Sequence, residues 1–366
     1  MSFYDELKEI SKIDIEQTLN NVTDVQILRA IEKDFITEDD FLALISPRAE
    51  AFLEAIAQKA NKLTRQYFGK AIQMFTPLYI SNYCENDCTY CGYRANSGMT
   101  RRQLSLDEID KEAKAIYDMG IRQVLLLTGD SKKASTSYIV DAANVLKKYF
   151  PMIGIEIKAL SDAEYRMANK AGVNYLTIYQ ETYDEENYKK YHKKGPKADF
   201  KFRLEAPERG AKAGVIGLNI GFLMGLSNTK RDAYYLAKHA KYIRTYFPDV
   251  ELAISLPRLR PTKGGYQYEY IVNDREYVQI LMALRLFLPR VGITLSTRES
   301  DEFRGNLLPL GITKVSGGVK TSVGGYSEDK GHTEQFEISD ERSVKEVHDY
   351  LLEKGFQPVF KDWDII

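Results

Sequence analysis

The sequence is poor in the residues that build disulfide and metal sites, with three cysteines and four histidines among 366 residues. An odd number of cysteines argues against structural disulfide bonds. The N-terminus is acidic and lacks the apolar core of a signal peptide. Together these features predict free thiols in a reducing compartment, the cytoplasm. The longest wholly aliphatic run covers only 124–127, too short to cross a membrane. The formal net charge of −1 lacks the basic excess that nucleic-acid binding would require.

All the cysteines lie in one short stretch, as Cys84, Cys88 and Cys91, with Tyr90 directly before the last. Thiolates prefer zinc, copper(I) or iron–sulfur clusters. An iron–sulfur cube normally takes four protein ligands, so three cysteines leave one iron open to a ligand that is not protein. An open coordination position is typical of reactive rather than structural metal sites. The stretch therefore predicts a reactive iron–sulfur centre.

A structural zinc site is the alternative interpretation of these cysteines. The candidates for its fourth ligand are His192, His239, His332 and His348. Zinc sites usually use pairs of cysteines with two intervening residues, and only Cys88 and Cys91 form such a pair. The spacing favours the iron–sulfur interpretation.

Short apolar runs alternate with amphipathic helices from about residue 73 onward. The predicted strands are 74–80, 124–127, 154–157, 175–179, 216–222, 252–256, 292–295 and 313–315. Capping boxes at Ser105, Ser161 and Ser343 begin helices, and Gly120 and Gly172 stand where the first two of these should end. Eight strand–helix repeats predict an α/β fold, a (β/α)8 TIM-type barrel, with a doubly wound open sheet as the competing arrangement.

Residues 1–70 carry apolar residues at helical spacing, in 24–32, in 38–44 and in a longer stretch that starts at Ser46-Pro47. No motif with evident chemistry lies there. We predict two units, an N-terminal helical extension over 1–70 and a barrel with a C-terminal helix and tail over 71–366.

Polar, charged and glycine-rich motifs begin where the predicted strands stop. In chain order these are the cysteines, 128–130, Glu156, 180–183, 258–260, 296–299 and 316–318. The carboxyl ends of the strands share one rim of a barrel, and active sites of barrel enzymes lie on that rim. The clustering predicts a single reactive site.

A CxxxCxxC loop at the mouth of a barrel, with an aromatic residue before its third cysteine, resembles the radical S-adenosylmethionine (SAM) superfamily. The resemblance implies that Cys84, Cys88 and Cys91 ligate a 4Fe-4S cluster and that the methionine part of SAM chelates the open iron. One-electron reduction then cleaves SAM to a 5′-deoxyadenosyl radical, while the protein positions the reactants.

The resemblance also implies cofactor-binding residues. Tyr90 would lie against the nucleoside, and Thr128-Gly129-Asp130 resembles the Gly-Gly-Glu turn that receives the methionine ammonium. Thr replaces the first Gly and Asp the Glu, so Asp130 keeps the charge on a shorter arm. Glu156 would bind the ribose hydroxyls, with a solvated strand end as the alternative for this residue.

The motifs 179–183, 255–261 and 296–300 narrow the resemblance to the aromatic amino acid lyases, and among these to the 2-iminoacetate synthases, the tyrosine lyases of thiamine biosynthesis. The likeness runs from about Phe75 to the C-terminus and includes 361–364. It implies cleavage of the Cα–Cβ bond of L-tyrosine to 2-iminoacetate (dehydroglycine) and p-cresol, with 5′-deoxyadenosine and methionine as co-products. Another aromatic amino acid, such as tryptophan, is the alternative substrate, and a non-catalytic protein with structural zinc is the alternative class.

Arginine grips a carboxylate through two parallel charge-assisted hydrogen bonds, so Arg258, with Arg260 or Arg298, is the predicted clamp for the tyrosine carboxylate. The predicted catalytic residues are Arg258, Glu181 and Arg298. Further predicted substrate contacts are Gln180, Tyr183, Ser255, Ser296, Glu299 and Ser316. For any one of them, an Arg–Glu network that only braces the loops is the alternative.

The tyrosine lyases of iron-hydrogenase maturation also resemble this chain, but they carry further cysteines for a second cluster. This chain has no cysteine after Cys91, which excludes their function.

The resemblance implies thiazole synthase and its sulfur-carrier protein as partners, because 2-iminoacetate hydrolyses readily. It also implies an electron donor such as flavodoxin or ferredoxin. The basic run 189–194 is interpreted as a solvated helix end, with a cover over the site or a partner contact as alternatives.

Overall fold

The computed structural model describes residues 2–259, 269–327 and 334–360. Its centre is a barrel of parallel strands, in which each strand pairs with the next and the eighth pairs with the first. The strands are β1 (Ala71–Ser81), β2 (Gln123–Thr128), β3 (Met152–Glu156), β4 (Tyr175–Glu181), β5 (Gly217–Phe222), β6 (Glu251–Ser255), β7 (Gly292–Leu295) and β8 (Lys314–Ser316). The predicted (β/α)8 barrel is confirmed, and a doubly wound open sheet is not formed.

An N-terminal helical segment precedes the barrel, as predicted. Its helices are α1 (Phe3–Ile10), α2 (Ile15–Asn20), α3 (Asp24–Glu32), α4 (Glu38–Ile45) and α5 (Leu53–Phe68). The long helix predicted from Ser46 is divided, because Pro47–Phe52 forms a 3-10 helix before α5. Such tight turns are common at helix N-termini. The boundary between this segment and the barrel stays a prediction.

The barrel helices lie between successive strands and after β8. They are α6 (Leu106–Asp118), α7 (Thr136–Leu146), α8 (Asp162–Lys170), α9 (Glu185–Tyr191), α10 (Phe200–Leu204), α11 (Ala206–Lys212), α12 (Thr229–Tyr246), α13 (Asp274–Phe287), α14 (Asp301–Leu307) and α15 (Val344–Glu353). The capping boxes at Ser105, Ser161 and Ser343 are present. Gly120 and Gly172 follow α6 and α8 with φ of 92° and 105°, the left-handed backbone that glycine adopts at helix ends. No helix in these ranges is long and apolar enough to span a membrane.

The N-terminal segment is fixed to the barrel by polar and aromatic contacts. The side-chain amide of Gln279 on α13 donates to the carbonyls of Leu44 and Ser46 at 2.9 and 2.7 Å. Phe3 stacks on His239 of α12 with ring centroids 4.1 Å apart. The segment thus packs against α12 and α13.

A ninth strand, β9 (Gln357–Val359), was not predicted. It pairs with residues 71–73 of β1, ahead of the part of β1 that pairs with β2. Only three residues long and containing Pro358, it lacks the run of β-branched residues that signals a strand.

Asp232 on α12 is a buried acid next to the fourth strand. Its Oδ1 accepts hydrogen bonds from the Tyr183 amide at 2.8 Å and the Thr182 hydroxyl at 3.1 Å, while its Oδ2 has no partner among the described residues. Burial raises its pKa to about 7. The folded protein therefore holds this proton more tightly than the unfolded chain does.

A carboxyl whose pKa is raised on folding costs stability progressively as pH rises between its unfolded and folded pKa values. We expect Asp232→Asn to increase the free energy of unfolding by about 2–3 kcal/mol more at pH 8 than at pH 5, since one pKa unit corresponds to about 1.4 kcal/mol. Urea titrations of both proteins at the two pH values measure this. If the substitution changes the free energy of unfolding equally at both pH values, Asp232 is ionised in the folded protein from pH 5 to pH 8.

Candidate active site at the carboxyl end of the barrel

The three cysteines lie in the loop between β1 and α6, which is held by its own side chains. The amide of Asn82 donates to the Thr100 carbonyl at 2.8 Å. The guanidinium of Arg101 donates to the carbonyls of Asn82, Tyr93 and Arg94 at 2.6–3.0 Å. Buried or half-buried backbone carbonyls need such partners, so these bonds fix the loop without regular secondary structure.

Asn86 joins the cysteine loop to the loops that follow β2 and β4. Its Nδ2 donates to Oδ2 of Asp130 at 2.8 Å, and its Oδ1 accepts the backbone N–H of Lys197 at 2.9 Å. The loop after β2 also approaches closely at Gly129, where a Cβ would lie 2.5 Å from the Tyr83 carbonyl oxygen. The three rim segments are therefore mutually positioned around the cysteines.

We expect Gly129→Ala to push the cysteine loop away, because the clash is with backbone rather than with a flexible side chain. Overpacking of this kind costs about 1–3 kcal/mol. The iron and sulfide content after anaerobic reconstitution should fall by at least half. Gly317→Ala is the matched control, since its Cβ would meet only ordinary contacts at 3.4–3.6 Å. Full cluster content in Gly129→Ala would contradict the close approach.

The thiols fit a metal cluster by their donor chemistry. Cys88 is buried and Cys84 and Cys91 are half-buried. Burial raises the pKa of Cys84 to about 11, with Asp130 adding to the effect, and raises the pKa of Cys88 well above its ordinary value. Bound metal deprotonates a coordinating thiol outright, so the charge of iron offsets this cost. In the described ranges, no three His, Cys, Asp or Glu side chains are grouped to hold a single metal ion.

His192, a candidate zinc ligand, uses both ring nitrogens within the protein. Its Nδ1 lies 2.8 Å from the Tyr188 carbonyl, which can only accept, so Nδ1 carries the proton. Its Nε2 then accepts the hydroxyl of Tyr90 at 2.8 Å. Burial lowers its pKa to about 3, which keeps the ring neutral. Of the other candidates, His239 bonds to Tyr183, His348 lies beside Asp349, and His332 is outside the described residues.

A cavity opens beside the cysteine loop, inside the carboxyl end of the barrel. Of the predicted site residues, its wall contains Tyr90, Cys91, Thr128, Asp130, Glu156, Glu181, Ser255, Ser296, Arg298, Glu299 and Ser316. These come from the ends of seven different strands or the loops after them. The structure thus brings together residues up to 226 positions apart, from Tyr90 to Ser316.

Three of the predicted substrate residues that the structure describes are not part of this wall. Gln180 points away from the barrel interior, because neighbouring strand residues alternate, and its amide lies 3.4 Å from the Phe200 carbonyl. Tyr183 is buried beneath α12, with its hydroxyl 3.0 Å from Nδ1 of His239. Arg258 lies behind the wall, and Arg260 is outside the described residues.

Arg258 is engaged on every side. Its Nε donates to Glu299 at 3.2 Å and its Nη2 to the second oxygen of the same carboxylate, in a bidentate pair. Its Nη1 donates to Asp274 at 2.7 Å and to the Val272 carbonyl at 3.1 Å. These contacts match the loop-bracing alternative rather than an open clamp.

Two cations in the wall were missed by sequence reasoning, Lys197 and Arg203. Nζ of Lys197 lies 2.5 Å from Glu181, and Arg203 contacts the same carboxylate at 3.5 Å while its Nε donates to the Tyr179 carbonyl at 2.8 Å. Burial alone would raise the pKa of Glu181, but Lys197 and Arg203 reverse this and lower it. The three groups carry one net positive charge. A signal existed for Arg203, which shares the apolar helix face of Phe200 and Leu204 at helical spacing.

Glu181 faces the cavity at a point where β4 is distorted. The register of β4 against β5 shifts between Tyr179 and Glu181, and Glu181 has φ of 71°. Left-handed backbone in a residue other than glycine is strained, and such strain collects at functional sites. The carboxylate of this strained residue is the one that contacts Lys197.

The rest of the cavity wall combines an acid, a cation and unsatisfied hydroxyls. Burial, with Glu181 adding to it, raises the pKa of Glu156 to about 7. The guanidinium of Arg298 stacks 3.7 Å from the ring centroid of Phe336. The hydroxyls of Thr294 and Ser316 are buried without a hydrogen-bond partner among the described residues. Buried polar groups normally have partners, so this side is built for a polar ligand.

Comparison with known proteins places these features in a family context. Residues 78–240 match the model of the radical SAM superfamily, and residues 255–357 match the biotin and thiamin synthesis associated domain. The chain is 38% identical to 2-iminoacetate synthase of Escherichia coli K12, over 99% of this chain and 97% of that protein. It is 27% identical to 3-methylornithine synthase of Methanosarcina acetivorans, over 72% and 73%. The crystal structure of HydG, a maturase of the FeFe hydrogenase, superposes with a TM-score of 0.90 at 31% identity, covering 95% of this chain and 79% of that one.

Proposed function

We infer the activity from a single premise, that the chain belongs to the 2-iminoacetate synthase family of the radical SAM superfamily. It is a radical SAM carbon–carbon lyase that cleaves L-tyrosine to 2-iminoacetate and p-cresol for the thiazole moiety of thiamine. The observation that carries this is the full-length match to a 2-iminoacetate synthase, together with a cavity that offers cationic groups beside the cysteine loop. A structural zinc protein would leave this charged cavity without a role.

Cys84, Cys88 and Cys91 would hold the 4Fe-4S cluster, and cluster and SAM together would supply the radical chemistry of the reaction. We propose that Oδ1 of Asp130, which has no hydrogen bond to a described residue, receives the methionine ammonium. Its other oxygen is fixed by Asn86, so the short side chain is aimed by the cysteine loop itself. Glu156, with a pKa near neutrality, can accept from or donate to the ribose hydroxyls.

Two carboxylates must be bound in the cavity, one from SAM and one from tyrosine. The centre formed by Lys197, Arg203 and Glu181 lies on the side of Tyr90, whose ring centroid is 5.8 Å from Nζ of Lys197. Its net positive charge suits the methionine carboxylate. Arg298 lies on the opposite side, with Ser296, and suits the tyrosine carboxylate. The hydroxyls of Thr294 and Ser316 then complete the polar contacts of the substrate.

The segment at Gln335 and Phe336 closes the cavity next to Cys91. The Tyr79 hydroxyl donates to Oε1 of Gln335 at 3.1 Å, and a Cβ at Gly92 would lie 2.4 Å from the Gln335 carbonyl oxygen. Exclusion of water protects a radical reaction from quenching and strengthens electrostatic contacts. We propose that this segment keeps the substrate side dry.

The activity implies further partners and a location. Because 2-iminoacetate hydrolyses readily, we propose delivery to thiazole synthase with its sulfur-carrier protein. A one-electron donor such as flavodoxin or ferredoxin reduces the cluster. Free thiols and an oxygen-sensitive cluster fit the cytoplasm. The absence of any cysteine after Cys91 leaves no thiolates for a second cluster.

The deciding experiment is anaerobic. The protein is reconstituted with iron and sulfide, reduced, and given SAM with tyrosine or with tryptophan. We expect 5′-deoxyadenosine and p-cresol together, in a 1:1 ratio, with tyrosine only. Deoxyadenosine without p-cresol would reject tyrosine cleavage, and binding of zinc without a cluster would reject the radical mechanism.

A further inference from the structure

We propose that four exposed lysines beside the cysteine loop, Lys132, Lys133, Lys193 and Lys194, form the docking surface for an acidic one-electron carrier protein. We call them the flanking lysines. The inference rests on the proposed function, which needs one electron at the cluster for each SAM cleaved. It also assigns a role to the end of the basic run 189–194, at Lys193 and Lys194.

Lys193 and Lys194 lie on one side of the loop, next to Cys88. The backbone of His192 forms a bridge with that of Cys88. Next to it, the amide of Asp87 donates to the Lys194 carbonyl at 3.3 Å. These are backbone contacts, so both lysine side chains are left exposed at the surface.

Lys132 and Lys133 lie on the other side, next to Cys84. The amide of Lys132 donates to Oε1 of Glu85 at 2.7 Å. Nζ of Lys133 lies 3.8 Å from the ring centroid of Tyr83. Both residues are exposed. The two lysine pairs therefore bracket the outer surface of the cysteine loop.

The flanking lysines carry uncompensated charge. None of their ammonium groups forms an ion pair with a carboxylate among the described residues, whereas the neighbouring Lys189 and Lys190 are paired with Glu185 and Glu269. The acids nearest to them in the loop are Glu85, which accepts the Lys132 amide, and the half-buried Asp87. The four lysines outnumber these two acids, so this surface is locally basic on a chain whose formal net charge is −1.

The inner side of the cysteine loop, at Tyr90 and Cys91, faces the substrate cavity, so the outer side is the face that a carrier protein can approach. A positive surface there orients and concentrates an acidic partner, and such steering raises association rates by about 10- to 1000-fold at low ionic strength. In the transfer, the reduced carrier loses one electron and the cluster gains it. No bond is made or broken in this step.

The test uses flavodoxin reduced to its hydroquinone as the acidic carrier and reduced methyl viologen as a small cationic reductant that needs no docking. The variants are K193E/K194E and K132E/K133E, with the milder K193Q/K194Q as a guard against misfolding. The matched control is K62E/K170E, which makes the same charge change at exposed lysines on α5 and at the end of α8. The readouts are the flavodoxin dissociation constant and the rate of cluster bleaching by stopped flow, at low and high salt.

We expect each flanking double variant to weaken flavodoxin binding and to slow flavodoxin-driven reduction by at least tenfold at low salt. The difference should shrink at high salt, since the screening length is about 8 Å at physiological ionic strength. Reduction by methyl viologen, and p-cresol formation with it, should be retained, which separates this inference from the proposed function. The docking surface would be overturned if flavodoxin reduced the flanking variants as fast as the wild-type protein. It would also be overturned if K62E/K170E lost as much of the flavodoxin-driven rate as they do.

Discussion

Replacing Arg298 by glutamine should lower kcat/KM for tyrosine by about 1000-fold while the cluster content and the fold remain intact. Arg298 lies in the cavity wall after β7, across the barrel mouth from the Lys197–Arg203–Glu181 centre at the end of β4. Its guanidinium carbon lies 3.7 Å from the ring centroid of Phe336. Truncating one partner of a desolvated charge pair costs about 2–5 kcal/mol, and about 4 kcal/mol corresponds to the stated factor.

The measurement is p-cresol formation against tyrosine concentration under anaerobic conditions, with 5′-deoxyadenosine determined in the same samples. If Arg298 binds the tyrosine carboxylate, slow SAM cleavage without tyrosine should persist in Arg298→Gln. Arg298→Lys should recover only part of the loss, because lysine keeps the charge but not the bidentate geometry. Arg166→Gln, an exposed arginine on α8, is the control for loss of one positive charge. Unchanged tyrosine kinetics in Arg298→Gln would assign the carboxylate to another cation.

The order of strands and the rim of the barrel followed from the sequence because both depend on local patterns. Apolar runs of strand length, capping boxes and terminal glycines act over a few residues, and the parallel barrel then places every strand end on one rim. Residues at strand ends, such as Glu156 and Ser255, were therefore found at the cavity. The three-residue β9 was missed because its pairing with β1 depends on tertiary position and not on its own sequence.

The direction of individual side chains was less predictable. Gln180 and Glu181 were both predicted to contact substrate, but adjacent strand residues face opposite ways, so only Glu181 faces the cavity. The bulge and the left-handed backbone at Glu181 had no signal in the sequence. Lys197 lies 16 residues beyond Glu181 in a segment with no evident motif, and Arg203 lies 22 residues beyond it on an otherwise apolar helix face. The structure shows that both contact the Glu181 carboxylate. Long charged side chains from helices can thus complete a site whose motifs lie on strands.

The role of Arg258 was also not predictable from the sequence. An arginine just after a strand is compatible with a substrate clamp and equally with a structural ion pair. In the structure its guanidinium forms a bidentate pair with Glu299, whose side chain is 2% exposed, and lies 5.3 and 5.4 Å from the ring centroids of Tyr277 and Phe303. The four polar contacts leave its fork facing loop residues rather than the cavity. Its main contribution should therefore be to stability.

We expect Arg258→Met to lower the free energy of unfolding by about 3 kcal/mol, because removing one partner of a buried ion pair leaves an uncompensated charge. The double variant R258M/E299Q removes that charge and should regain most of the loss, which urea titration of the single and double variants will measure. A substrate clamp predicts the opposite pattern. Arg258→Met would then unfold like the wild type but fail to bind tyrosine, and the Glu299→Gln change would restore nothing. Recovery of stability together with near-normal tyrosine affinity in the double variant would leave Arg298 as the cation that selects the substrate.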